Sequence, residues 1–221
     1  MPLILPSTFL DSDIIWKACQ FSLLVDLPLA LGIAGEEMAV LGSLRYVIGP
    51  KVEASGVDII RQAYQEFLGT AVEIEPNEAE LKFAAHIEEA ALRMSVAIDG
   101  GESLLVAVAL SRGIRHFVTG DKRAIKGLSI LATDDVKLRE IAGYIVTLEQ
   151  VVFSIAQLKG CDAVRSAVCA LPKVDKALTS CFMCHQPECS IEDVRDALGS
   201  YQRKLSKDTN GYVTDNLLFA P

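Results

Sequence analysis

Residues 99–123 constrain the fold of this chain more than any other part of its sequence. The segment begins with Asp99-Gly100-Gly101-Glu102, continues through an apolar run to Leu110, and breaks at Gly113. A short β-rich stretch at 116–119 then leads to Asp121. This pattern predicts a helix that starts with carboxylates, followed by a strand that ends at another one. In a parallel sheet these acids can share one edge, where open α/β folds bind their ligands.

The same acids also fit a simpler role as helix caps. Asp99 stands three positions before Glu102, which is the spacing of a capping box, and Asp121 precedes a second helix-forming run. Carboxylates gathered at one edge repel each other unless a cation neutralises them, which is the reason to expect a divalent metal. Both interpretations stay open on these two sites alone.

A third acidic site lies far away in the sequence, within Leu10-Asp11-Ser12-Asp13-Ile14-Ile15. Here the chain resembles the PIN domain family of metal-dependent ribonucleases, whose first strand ends in an Asp within a similar motif. The family's later motifs look like the helix start at Gly101-Glu102-Ser103 and the strand end at Val118-Thr119-Gly120-Asp121. Its last strand is similar to residues 143–151, so the resemblance covers roughly residues 1–155.

The resemblance implies a divalent-metal-dependent endoribonuclease that hydrolyses RNA phosphodiester bonds through a carboxylate cluster. Asp11, Glu102 and Asp121 would be the catalytic residues and would hold Mg²⁺ or Mn²⁺, ions that prefer oxygen ligands. Glu53 and Asp99 are candidates for additional metal ligands. The candidate substrate-binding residues are Thr119, Lys122 and Arg123.

The alternation of helical and strand patterns independently predicts an α/β fold: a three-layer, PIN-like domain with a mostly parallel central sheet. Residues 38–48 read as a buried strand closed by Gly49-Pro50, and residues 14–31 as a helix broken at Pro28. After about residue 155 strand character disappears. We therefore expect a PIN-like domain over 1–155 and a C-terminal helical extension over 156–221.

Charge and hydropathy bear on partners and location. A net charge of −8 does not favour general RNA binding, although basic residues flank the proposed site and a bound metal would reverse the local sign. No apolar run reaches the roughly 18 residues of a membrane span, and residues 1–6 lack a signal-peptide pattern. We expect a cytoplasmic protein that acts on RNA away from the membrane, with an antitoxin-like protein or a homodimer as further partner candidates.

The C-terminal segment carries a compact Cys/His cluster, 181–189. Three thiolates and an imidazole form a recognised tetrahedral zinc set, so structural Zn²⁺ is one interpretation. A turn with reduced thiols is the other, because six cysteines in a cytosolic chain do not imply disulfides. Cys19, Cys161 and Cys169 are expected to be small buried apolar residues. The candidate zinc ligands are Cys181, Cys184, His185 and Cys189.

Two other functions stay open. The acidic balance and the uncertain position of Glu53 favour a non-catalytic PIN-like module that binds RNA or protein. The Asp-x-Asp spacing of Asp11 and Asp13 also occurs in HAD-like phosphohydrolases, which form a phospho-aspartate. That class needs a supporting lysine and distal acids, for which the sequence offers no convincing arrangement.

Overall fold

A computed structural model describes residues 6–217 of the chain. Within that range five parallel strands form one sheet in the order β3-β2-β1-β4-β5. The strands are β1 (Thr8–Leu10), β2 (Met38–Leu41), β3 (Val72–Ile74), β4 (His116–Thr119) and β5 (Ile145–Thr147). The predicted α/β fold with a parallel sheet is confirmed. Residues 1–5, on which the expectation about a signal peptide depends, lie outside the described range.

Helices connect the strands and cover both faces of the sheet. Those before β4 are α1 (Ser12–Gln20), α2 (Leu27–Leu31), α3 (Leu44–Ser55), α4 (Asp58–Thr70), α5 (Glu78–Met94) and α6 (Gly100–Ser111). Those after β4 are α7 (Lys122–Leu131), α8 (Val136–Arg139), α9 (Leu148–Lys159), α10 (Cys161–Ala170), α11 (Lys176–Cys181) and α12 (Ile191–Asp208).

Alternate side chains of the strands enter two separate hydrophobic clusters. Leu10 and Val118 face the cluster formed with α1–α4 and α9–α12. Phe9 and Phe117 face the opposite cluster, formed mainly with α5–α8. Because successive strand side chains point to opposite faces, each short strand is buried on both sides. The sheet is therefore the middle of three layers.

Two local predictions were wrong. The strand expected over 38–48 ends at Leu41, and α3 begins at Leu44 and continues through Pro50. Leu44 and Ile48 are buried four positions apart, so this apolar stretch has helical spacing. Pro28 does not break a helix: it occupies the first turn of α2, where its missing N–H costs no hydrogen bond.

The segment after residue 155 is helical, as predicted, and packs against the rest of the chain. α9 runs across residue 155 without interruption. Val168 of α10 and Leu198 of α12 belong to the same buried cluster as Ile14 of α1. The division into two domains at this point stays a prediction.

Within residues 6–217 no single helix combines the length and apolarity needed to cross a membrane. The segments Ser12–Gln20 and Leu24–Leu31 pass that test only as a pair, with a bend of 119° between them.

Candidate active site at the carboxyl ends of the strands

The predicted acidic residues meet where the strand order changes direction. β1 lies between β2 and β4, so β2 and β3 lie on one side of β1, and β4 and β5, which come later in the chain, lie on the other. Asp11 directly follows β1, Asp121 lies two residues after β4, and Glu102 lies in the first turn of α6. Ligands of open α/β sheets bind outside the carboxyl ends of strands at such a switch point.

A cavity of about 400 Å³ opens at this edge, with one acidic and one apolar wall. All the candidate metal ligands except Glu53 line this one cavity. The acidic residues that line it are Asp11, Asp13, Asp99, Glu102 and Asp121. The apolar residues that line it are Leu10, Leu41, Leu44, Val47 and Leu105.

Each of the main acids also takes part in capping a helix. Asp11 Oδ1 accepts from the Asp13 N–H at 3.4 Å, and Asp121 Oδ1 accepts from the Arg123 N–H at 2.7 Å. Asp99 and Glu102 form a reciprocal capping box, in which each carboxylate accepts the other residue's backbone N–H at 2.9 Å. The interpretation of these acids as helix caps is therefore confirmed.

Capping leaves part of this acidic wall without a partner. Glu102 uses Oε2 and Asp99 uses Oδ1 in the capping box, and their other oxygens accept no hydrogen bond from any described residue. Among residues 6–217, no lysine or arginine forms an ion pair with Asp11, Asp99 or Glu102. Three carboxylates thus face one cavity without a paired cation, so capping and cation binding are compatible.

The carboxyl of Glu102 has a strongly raised pKa. Burial of the carboxyl is the main cause and raises its pKa to about 7, against a hydrogen bond from the Asp99 N–H that lowers it. The charges of Asp99, Asp121 and Asp11 raise the pKa further, by less than burial does. A cation in the cavity would favour the ionised form of Glu102 against both effects.

Asp11 is held in place by Thr119. Burial raises the pKa of Asp11, while the Thr119 hydroxyl, which donates to Asp11 Oδ2 at 2.9 Å, lowers it. The same hydroxyl accepts the Asp121 N–H at 3.1 Å. Thr119 is only 2% exposed, so the prediction that it binds substrate is wrong and it links two acids instead.

Arg123 pairs with Asp121. Its Nη2 donates to Asp121 Oδ2 at 2.7 Å and its Nε to Oδ1 at 3.3 Å. Burial would raise the pKa of Asp121, but these bonds and the capping N–H groups lower it overall. The pKa of Arg123 is raised first by Asp121 and then by the charges of Glu102 and Asp99, so its guanidinium lies in the field of the whole acidic wall.

Lys122, a candidate substrate-binding residue, does not line the cavity. Its ammonium forms an ion pair with the carboxylate of Glu149, which is 1% exposed and accepts no hydrogen bond from the described residues. Lys122 Nζ also lies 5.7 Å from the ring centroid of Tyr201 on α12. The side chain compensates a buried charge, and its role in substrate binding stays a prediction.

An ion cluster joins the site to the C-terminal segment. Lys17 Nζ lies 2.8 Å from Asp13 Oδ2 and 3.0 Å from Asp175 Oδ2. A Cβ atom on Gly120 would lie only 2.6 Å from Asp13 Oδ2, so the turn before Asp121 packs tightly against this cluster. The C-terminal segment therefore supports the positions of acids that line the cavity.

Glu53 lies away from the candidate site. It occupies the last turn of α3, where its 62% exposed side chain accepts from Arg61 Nε at 3.3 Å. Because residues 38–48 were interpreted as one strand closed by Gly49-Pro50, the helix α3 that contains Glu53 was not predicted. The same error concealed Leu44 and Val47, which form part of the apolar wall. The four-residue spacing of Leu44, Ile48 and Val52 is the signal that identifies this helix.

The Cys/His cluster is not assembled as a zinc site. Cys184 forms a disulfide with Cys169, which removes it from the predicted ligand set and corrects the expectation of reduced thiols. Cys181 is buried as a free thiol, whereas Cys189 is partly exposed. The disulfide joins α10 to the turn after α11, and the spacing of the cysteines within 181–189 does not predict it.

The donor chemistry of the cavity fits Mg²⁺ or Mn²⁺, since hard oxygen atoms from separate segments line it. In the part of the chain that the structure describes, no group of three or more His, Cys, Asp or Glu side chains is arranged closely enough to hold a metal ion. The carboxylates of Asp11, Glu102 and Asp121 thus share a cavity but are not gathered around one point.

Comparison with known proteins adds no assignment. A scan against protein-family models finds no match to this sequence. Searches of curated proteins and of solved structures find no significant match either. The functional argument therefore depends on the residues and geometry described above.

Proposed function

We propose that this protein is a divalent-metal-dependent endoribonuclease with its active site in the cavity at the carboxyl ends of β1 and β4. The observation that carries the proposal is the presence of three carboxylates there, from Asp11, Asp99 and Glu102, that form no ion pair with a lysine or arginine of residues 6–217. RNA as the substrate follows from the resemblance of the acidic motifs to PIN domains. A cytoplasmic location belongs to the same proposal.

Asp11, Glu102 and Asp121 would hold the metal, and Asp99 would add negative charge beside it. A bound Mg²⁺ or Mn²⁺ supplies a more acidic water and offsets charge on the phosphodiester. Thr119 fixes the orientation of the Asp11 carboxylate. Because the pKa of Glu102 is about 7 without metal, its carboxyl holds a proton in mildly acidic solution and must release it when a cation binds. Metal binding is therefore expected to weaken below pH 7.

The first test compares Asp11→Asn and Asp121→Asn with the unchanged protein on a single-stranded RNA in Mn²⁺. Asparagine preserves the cap but removes the charge, so we expect a correctly folded protein whose cleavage rate falls by about 100-fold or more. Asp58→Asn is the matched control, because the Asp58 side chain is 94% exposed and lies outside the cavity lining. Equal cleavage by all four proteins would refute these roles.

A non-catalytic PIN-like module is the second candidate. It is favoured by the ion pair between Asp121 and Arg123 and by the dispersed carboxylates. Calorimetric titration with Mn²⁺ separates the two functions: binding that Asp11→Asn abolishes supports the nuclease, whereas no binding at millimolar Mn²⁺ supports a module that binds RNA, an antitoxin-like protein or a second copy of the chain. A HAD-like reaction is less well supported, since Asp13 is ion-paired with Lys17.

A further inference from the structure

Arg123 is bound to Asp121 in an asymmetric way. Asp121 Oδ1 accepts from two backbone N–H groups, those of Arg123 at 2.7 Å and Ala124 at 3.2 Å, as the cap of α7. Within the described part of the chain, Asp121 Oδ2 accepts from Arg123 Nη2 alone, at 2.7 Å. Oδ1 is thus fixed by backbone N–H groups, with a longer contact from Arg123 Nε at 3.3 Å, whereas Oδ2 is occupied by a side chain.

That side chain can leave without disturbing the fold. The Arg123 side chain is 81% exposed, and among residues 6–217 its polar contacts are both with Asp121. The neighbouring lysines are held differently: Lys122 compensates the buried Glu149, and Lys17 bridges Asp13 and Asp175. Arg123 is therefore the basic side chain at this edge that can change partners at low cost.

We propose that the Arg123 guanidinium stands in for the metal on Asp121 Oδ2 and is displaced when a divalent cation binds. This inference rests on the proposed function. A cation on that oxygen and the guanidinium would repel each other at such short range, so binding of the cation disfavours the ion pair of Arg123. Displacement leaves a planar guanidinium at the rim of the cavity, where its paired N–H groups match the geometry of a phosphate. Cation binding and phosphate binding are coupled through this one side chain.

The coupling predicts two opposite effects of a single substitution. Arg123→Gln removes the competitor, so the affinity for Mn²⁺ should rise by about two- to fivefold, the range of an exposed ion pair. The same change removes the phosphate ligand, so the KM for RNA should rise. If Arg123 only stabilised the position of Asp121, Arg123→Gln would instead weaken Mn²⁺ binding.

The experiment is calorimetric titration with Mn²⁺ of the unchanged protein, Arg123→Gln and Arg195→Gln, followed by KM measurements on RNA. Arg195 is a matched control, because it pairs with Asp196 on the exposed surface of α12 and its loss changes net charge equally. Tighter Mn²⁺ binding with a higher KM in Arg123→Gln alone supports displacement.

Equal or weaker Mn²⁺ binding by Arg123→Gln overturns the inference, while the proposed nuclease stands if the unchanged protein binds Mn²⁺ and Asp11→Asn does not. A twofold gain shared by both arginine variants would also overturn it, because it would reflect net charge alone. If the unchanged protein binds no Mn²⁺, both the metal site and the displacement are refuted.

Discussion

Replacing Glu102 by Gln tests whether the cavity disfavours the ionised form of this carboxyl, through burial first and through the neighbouring carboxylates second. The glutamine oxygen can still accept the Asp99 N–H, so the capping box is preserved while the charge is removed. In the unfolded chain Glu102 loses its proton near the ordinary pKa of 4.5, whereas in the folded protein it does so at about 7. Between these values the folded state binds more protons, so stability falls as the pH rises through this window.

The size of the effect follows from that pKa difference. It corresponds to at most about 3.4 kcal/mol, which solvent screening of this partly exposed side chain reduces to about 1–2 kcal/mol. Without metal, Glu102→Gln should match the unchanged protein below pH 4.5 and exceed its free energy of unfolding by that amount above pH 7. With saturating Mn²⁺, the unchanged protein should have the larger free energy of unfolding of the two, because the cation stabilises only the protein that binds it.

Urea denaturation from pH 4 to 8, with a chelator and then with Mn²⁺, measures these differences. Glu89→Gln on the exposed face of α5 is the matched control and should change the free energy of unfolding by less than about 0.5 kcal/mol. A difference between Glu102→Gln and the unchanged protein that does not vary with pH would refute the conclusion that the folded state raises the pKa of this carboxyl.

Two further predictions concern the C-terminal segment. Lys122→Met should lower the free energy of unfolding by about 3 kcal/mol, because it leaves the buried Glu149 carboxylate uncompensated. A Lys122→Met/Glu149→Gln double variant should recover most of that loss in urea denaturation. A double variant no more stable than the single one would contradict this role of Lys122. Thiol titration of the unreduced, denatured protein should detect four of the six cysteines, and reduction should lower the Tm because the Cys169–Cys184 bond closes a loop with a sequence separation of 15. Six reactive thiols without reductant would instead support the reduced turn expected of a cytoplasmic protein.

Much of the candidate site could be predicted because its signals are local. Asp99 and Glu102 are three residues apart, and Asp121 directly precedes α7, so the positions of these acids follow from helix capping. The strand at 116–119 was likewise identified from its β-rich residues and the break at Gly113. The parallel pairing of β1 with β4 then brings Asp11 to the same edge of the sheet as Asp121.

The sequence by itself determined where the helices and strands alternate and which acids leave the strand ends, because capping and periodicity act over a few residues. Only the tertiary structure decided the partners of the charged side chains: Lys122 meets Glu149, and Lys17 meets Asp175, across long separations in the chain. It also decided that Leu44 starts a helix and that Cys184 bonds to Cys169. These outcomes depend on which remote surfaces become buried together, and that is set by the packing of the whole core.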